Sequence, residues 1–245
     1  MLVLSLFPGI GLLDMAFELE GFCVVRGPDV LWGGDIRAFH PPAGRFDGVI
    51  GGPPCQAFSA LNHLLRASGK KTSKVDLVPD FVRCVEESRP AWFIMENVIQ
   101  ATQPRPDGFL VRDCDVHDGD CGGDTKRIRR IWFGTQDGRP LIIAKSLRRS
   151  LIPLERAVTR NVRIPRARHF AKAAARGGGV LPGDGEYAPL EDCCELQGLP
   201  RTFFSSLPFR KEAARIMLGN GVPLPMGRAI AKAVKEAVYQ GGESC

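Results

Sequence analysis

Short apolar runs alternate with helix-period segments through the first hundred residues, and this alternation limits the fold more than any other feature. "LVLSLF" (Leu2 to Phe7) is an apolar run that ends in a Pro-Gly turn. In "GLLDMAFELEG" the residues Leu12, Leu13, Ala16, Phe17 and Leu19 recur at helical spacing before Gly21 closes the segment. "FCVV" reads as a second strand, "FDGVIGG" as a third, "VDLVPDFVRCVEESRP" as a helix interrupted near Pro79, and "AWFIMENV" as a further buried strand. Strands alternating with helices predict an α/β fold with a parallel, doubly wound sheet. In such a sheet ligands gather at the carboxyl ends of the strands.

A chain of 245 residues with 44% hydrophobic content can bury one substantial core and carry a small second lobe. No window approaches eighteen consecutive apolar residues, and "MLVLSLFPGIG" lacks a basic leader and a small-residue cleavage site. The expectation is a cytoplasmic protein with no membrane partner. The eight cysteines form no CxxC pair, so reduced and mostly buried thiols are expected. "CDVHDGDC" offers Cys114, His117 and Cys121, but the spacing is irregular and a fourth ligand is missing. Turn chemistry explains that stretch more simply, and no metal is expected.

The net charge is +6, and its distribution says more than its size. Between Lys145 and Arg176 stand ten basic residues and a single acid, Glu155. Such density marks contact with a polyanion, and Pro153 and Pro165 break the segment too often for one membrane-surface helix. A phosphate backbone is the expected partner.

Three places carry chemistry. In "FPGIG" (Phe7 to Gly11) glycines at a strand-to-helix turn allow close backbone approach beside unpaired helix N–H groups, although a glycine turn alone is ordinary. Asp29 lies twenty residues beyond Gly9, where a nucleoside-binding fold keeps an acid for ribose hydroxyls, and Asp35 could accept from an exocyclic amine. In "GGPPCQAFS" (Gly51 to Ser59) Pro53 and Pro54 stiffen the backbone before Cys55, at the end of one strand. Glu96 ends another strand at the same sheet edge, so thiol and carboxylate can share a pocket.

Taken together, these segments resemble the cytosine-C5 DNA methyltransferases. "FPGIG" resembles the cofactor turn, "GGPPCQAFS" the nucleophile loop, "ENV" the carboxylate motif and "RIRR" (Arg127 to Arg130) the paired-arginine motif. "ELQGLP" (Glu195 to Pro200) resembles the segment after target recognition and "GNGVPLPMGRAI" (Gly219 to Ile230) the closing motif, all in the family's order. The resemblance implies a Rossmann-like S-adenosylmethionine-dependent methyltransferase sheet with a small target-recognition lobe. It implies Cys55, Glu96, Arg127 and Arg129 as catalytic residues, with S-adenosylmethionine held by Phe7, Gly9, Ile10, Gly11, Asp29, Asp35, Ile36, Pro54, Asn220 and Val222. Gln56, Ser59, Arg163, Arg166 and Arg168 would meet double-stranded DNA. A monomer is expected, with a paired restriction endonuclease as a candidate partner.

By the same resemblance residues 1–140 and 215–245 form a discontinuous catalytic domain, and residues 141–214 a basic recognition region. Departures from the family pattern are also visible. Only six positions separate Asp29 from Asp35, where the family inserts a helix and a strand, so one α/β unit is shortened or lost. Thr125 stands where a glutamine usually precedes the arginines. A DNA-binding protein without turnover and an RNA cytosine methyltransferase are the alternative readings.

Overall fold

The computed structural model describes residues 1–54, 75–146, 158, 163–164 and 186–239. Its strands are β1 (Leu2–Leu6), β2 (Cys23–Arg26), β3 (Gly48–Gly51), β4 (Trp92–Asn97), β5 (Leu110–His117), β6 (Ile128–Thr135), β7 (Arg163–Ile164) and β8 (Glu186–Tyr187). Its helices are α1 (Leu12–Leu19), α2 (Val78–Ser88), α3 (Leu190–Leu196), α4 (Lys211–Asn220) and α5 (Leu224–Tyr239). Six strands form one sheet in the order β2-β1-β3-β4-β6-β5, and β7 pairs with β8 separately.

Strands β1 to β4 run parallel, whereas β6 lies antiparallel to β4 and to β5. The sheet is therefore mixed: the first half of the chain forms the parallel strands expected of it, and β5 and β6 add an antiparallel pair at the far edge. Between β5 and β6 stands a short 3-10 turn, Asp118–Cys121, with no crossover helix, and strands joined that closely must pair antiparallel. Pro79 also differs from expectation. It occupies the first turn of α2, where no backbone N–H is needed, and so starts the helix instead of interrupting it.

Alternation along the strands builds two layers. Val3, Ile50, Ile94, Ile131 and Phe133 pack on one face with Phe17 of α1 and Met226, Ile230, Ala231 and Val234 of α5. Leu4, Leu6, Val49, Phe93, Met95 and Trp132 pack on the other with Phe81, Cys84 and Val85 of α2. The closing helix therefore does return to the first. A Cβ on Gly227 would lie 2.6 Å from the Cβ of Ala16, so only glycine permits this approach of α5 to α1. Arg228 Nε donates to Glu20 Oε1 at 2.7 Å and seals the crossing at its rim.

A third cluster joins Leu12 of α1 to Val158, Ala188, Leu190, Cys193, Cys194, Leu199, Phe204, Ala214 and Leu218. The domain boundary expected at 214/215 thus falls inside α4. Cys114 and Cys121 are partly buried against the first cluster, and burial pushes their thiols up to about 11 and about 12. Among the described residues no helix is long and apolar enough to cross a membrane.

Candidate active site

Strand β1 has β2 on one side and β3 on the other, so the chain order reverses there and a crevice opens at the carboxyl ends. A cavity of about 440 Å³ occupies that crevice. The turn after β1, the corner after β3, the end of β4 and the end of α4 all contribute to its wall.

The turn after β1 is sharply bent. Phe7 and Gly9 both have positive φ, +57° and +56°, and nothing stands within 4 Å of where a Gly9 Cβ would be. Glycine is required here by backbone conformation and not by crowding. Beneath the turn, Asp14 is completely buried; it accepts from Ser5 Oγ at 2.5 Å and from Arg26 Nε at 2.9 Å. Burial pushes the Asp14 carboxyl up, against the lowering influence of Ser5 and Arg26. The Arg26 guanidinium in turn covers Gly11, where a Cβ would lie 2.6 Å from Nη2.

Phe7, Gly9, Ile10, Asp29, Ile36, Pro54, Asn220 and Val222, expected at the cofactor, all line the cavity. Two others do not. Gly11 faces Arg26, and Asp35 turns outward into an ion pair with Arg37 at 2.7 Å while its neighbours Gly34 and Ile36 line the wall. A carboxylate flanked by an arginine two residues away finds its partner locally, and that partner holds Asp35 below the usual carboxylate range. Sequence reasoning missed Asp14, Val30, Leu31, Ile216 and Met217, which also line the cavity. The signal for Asp14 was an acid set between apolar residues, Leu12 and Leu13 before it and Met15 to Phe17 after it.

At the end of β3 the packing leaves no room for a side chain. A Cβ on Gly51 would come within 2.7 Å of the Leu6 carbonyl and 2.9 Å of Phe81. The corner that follows is pinned by Asn97, whose buried Nδ2 donates to the Pro53 carbonyl at 2.9 Å. Cys55, Gln56, Ser59, Arg166 and Arg168 lie outside the described residues, and of Arg163 only the backbone, opposite Tyr187 in the β7–β8 pair, is placed. Pro54 brings the chain to the cavity wall one residue before Cys55.

Glu96 reaches the cavity from the end of β4 with its side chain 8% exposed. A Cβ on Gly52 would stand 3.0 Å from its Oε2, so the glycine leaves room for the carboxyl group. Arg129 Nε lies 2.7 Å from Oε1 without the alignment of a hydrogen bond. Burial pushes the Glu96 carboxyl up, while Arg129 and then Arg127 pull it down; in a nearly dry wall burial prevails.

The period of β6, carried back one residue before its start, puts Arg127 and Arg129 on one side and Arg130 on the other, where it pairs with Asp115 directly across the ladder at 2.7 Å. Arg129 lines the cavity and Arg127 does not. Arg127 is buried and donates to the carbonyls of Val158 at 2.9 Å and Gly219 at 2.8 Å, tying β6 to the third cluster and to the end of α4. Where a base or phosphate contact was expected of Arg127, the structure shows its guanidinium on these two carbonyls. Thr125 supports it from below: its hydroxyl donates to the buried Asp118 Oδ2 at 2.6 Å and accepts from the Arg127 N–H at 3.4 Å. Replacing Arg127 with alanine takes the donor from the buried Val158 carbonyl and the half-buried Gly219 carbonyl and should cost about 3 kcal/mol of stability. Urea unfolding checks this; a loss under about 1 kcal/mol would return Arg127 to a ligand-facing role.

Residues 33–109 match the family model described as C-5 cytosine-specific DNA methylase. The chain is similar to the Type II methyltransferase M.NgoPII of Neisseria gonorrhoeae, 31% identical over 142 residues, which are 51% of this chain and 40% of that protein. It is 32% identical to the Type II methyltransferase M.FnuDI of Fusobacterium nucleatum over 114 residues, 40% of this chain and 32% of that protein. The matched region thus spans less than half the length of these curated relatives. In three dimensions the chain resembles a Spodoptera frugiperda DNMT2 mutant with a TM-score of 0.67 at 14% identity, covering 96% of this chain and 99% of that one. That likeness shows a shared fold.

Proposed function

We propose that this chain is a member of the cytosine-C5 methyltransferase family and acts as a DNA cytosine-5 methyltransferase that uses S-adenosylmethionine as methyl donor. One observation carries the reading: the Gly9 turn, the Pro53-Pro54 corner leading to Cys55, and Glu96 with Arg129 converge on one cavity of about 440 Å³. The wall suits a nucleoside-bearing donor. The glycine turn leaves room for a ligand to approach the backbone closely, Val30, Leu31 and Ile36 supply apolar surface, and Asn220 supplies an exposed amide. Such a donor, when bound, provides an electrophilic methyl group.

Carbon 5 of cytosine is a poor nucleophile, so the chain's own groups must activate it. The Cys55 thiolate adds to carbon 6 as Glu96 delivers a proton to ring N3, which leaves an enamine whose carbon 5 can take a methyl group. Loss of the carbon 5 proton to a base, with water able to serve, then expels the thiolate. Arg129 holds Glu96 in place and balances its charge when the proton has left. A cytosine stacked in duplex DNA must be flipped out to reach this depth.

Residues 1–140 and 215–245 would carry the catalysis and residues 141–214 the recognition of DNA, with Gln56, Ser59, Arg163, Arg166 and Arg168 at the phosphates or bases. Base-resolution mapping of 5-methylcytosine in DNA from a methylation-free host tests the proposal. Methylation at a fixed sequence is expected; unmarked DNA beside a soluble, well-expressed protein would overturn it.

A further inference from the structure

Where the family inserts a helix and a strand, this chain runs from β2 to β3 through two single 3-10 turns, Val30–Trp32 and Ile36–Ala38. The first of these turns grips the glycine turn after β1 from both sides. The Gly9 N–H donates to Asp29 Oδ2 at 2.9 Å, and the Gly9 carbonyl accepts from the Trp32 indole Nε1 at 2.8 Å. Both polar backbone groups of one residue are thus held by the two ends of a single turn.

That turn is itself closed by internal hydrogen bonds. Asp29 caps it by accepting from Leu31 N at 2.7 Å, and the Asp29 carbonyl accepts from Trp32 N at 3.0 Å and Gly34 N at 2.9 Å. Pro28 packs against Gly34 so closely that a Cβ there would stand 2.8 Å from it. The Trp32 ring meets Phe209 edge-on, with centroids 5.9 Å apart, which braces it against the segment leading into α4. Gly9, by contrast, has a positive φ and no packing where a side chain would stand. Its conformation is imposed from the loop.

We propose that Asp29 and Trp32 are positioning residues, a clamp on Gly9 that takes over the support lost with the missing α/β unit and thereby sets affinity for the cofactor. The proposal rests on the S-adenosylmethionine reading above. It gives Asp29 a task different from ribose recognition. Its carboxylate is spent on two backbone N–H groups, and an asparagine could satisfy only one of them while turning its own N–H toward the other.

The test uses the full chain and S-adenosylhomocysteine, with its 2′-deoxyribose analogue as second probe, by calorimetry. Trp32→Phe keeps a ring against Phe209 but removes the indole donor, and should weaken S-adenosylhomocysteine roughly fivefold; Asp29→Asn should weaken it roughly tenfold. The clamp predicts that Asp29→Asn weakens both probes by the same factor. A 2′-hydroxyl preference seen in wild type and abolished in Asp29→Asn would overturn the clamp in favour of ribose recognition, as would wild-type affinity in both variants. Amide exchange of the ligand-free protein supplies the structural arm: the Gly9 N–H should be protected in wild type and exchange about tenfold faster or more in Asp29→Ala. Equal exchange in the two would also overturn the clamp. Wild type that shows a protected Gly9 yet binds neither probe would instead sink the cofactor reading, and the clamp's purpose with it.

Discussion

DNA from a methylation-free host expressing Cys55→Ala should carry no 5-methylcytosine at sites that wild type marks. The thiol is the only side chain in the proposed mechanism that forms a bond to the base, and its removal leaves carbon 5 unactivated. A loss on the order of 10⁴-fold or more is expected, since a missing nucleophile disables the other catalytic groups with it. Folding and cofactor affinity should survive. The cavity is built by residues on either side of this position, and the Pro53 carbonyl remains anchored by Asn97 whatever side chain follows. Calorimetry with S-adenosylhomocysteine therefore accompanies the mapping. Methylation by Cys55→Ala at even a hundredth of the wild-type rate would remove the thiol from the mechanism; unmarked DNA with intact binding would isolate the loss in the covalent step.

How far the sequence already disclosed this site depends on how local each determinant is. Glu96 stood out because a carboxylate at the end of an apolar strand needs a reason to be there, and the structure places it in the wall of the cavity with Arg129 beside it. The glycine turn and the Pro-Pro corner were legible for the same reason, since unusual backbone demands unusual residues. Arg127 was not. Its acceptors are the carbonyls of Val158 and of Gly219, the latter 92 residues away, and no periodicity relates such positions. In the sequence it is indistinguishable from Arg129, which shares its side of the strand but reaches the cavity.

The same contrast explains the sheet. β1, β3 and β4 are apolar runs, buried almost throughout, and read as parallel strands without help. β5 is mostly exposed or half-exposed and carries Asp113 and Asp115, which answer Arg130 of the neighbouring strand. A strand at the edge of a sheet held partly by cross-strand charge has no apolar signature. The compressed link between β2 and β3 was visible as a missing length. The use made of it was hidden, because it appears only when Asp29 and Trp32 are seen on opposite sides of Gly9.

The second large effect is expected at Glu96. Replacing it with glutamine keeps a group of the same shape, able to donate to ring N3 and to accept from the 4-amino group, but unable to give up a proton. Methyl transfer should fall by about 10²- to 10⁴-fold while affinity for DNA changes little. Burial makes the pH dependence specific. With the carboxyl pushed above the ordinary glutamic acid value, the protonated form persists to higher pH than it would in water, and its share of catalysis is present below the raised value and lost as pH rises through it. The alkaline limb of the rate profile in wild type should be absent from the residual activity of Glu96→Gln. Stability follows the same sign: a raised carboxyl binds its proton more tightly in the folded state, so folding is favoured below the unfolded value and loses that contribution as pH climbs through the folded one. The stability of wild type minus that of Glu96→Gln should therefore decline with rising pH across that window. A difference that instead grew with pH would mean that Arg129 outweighs burial, leaving Glu96 ionised and the proton for N3 to come from elsewhere.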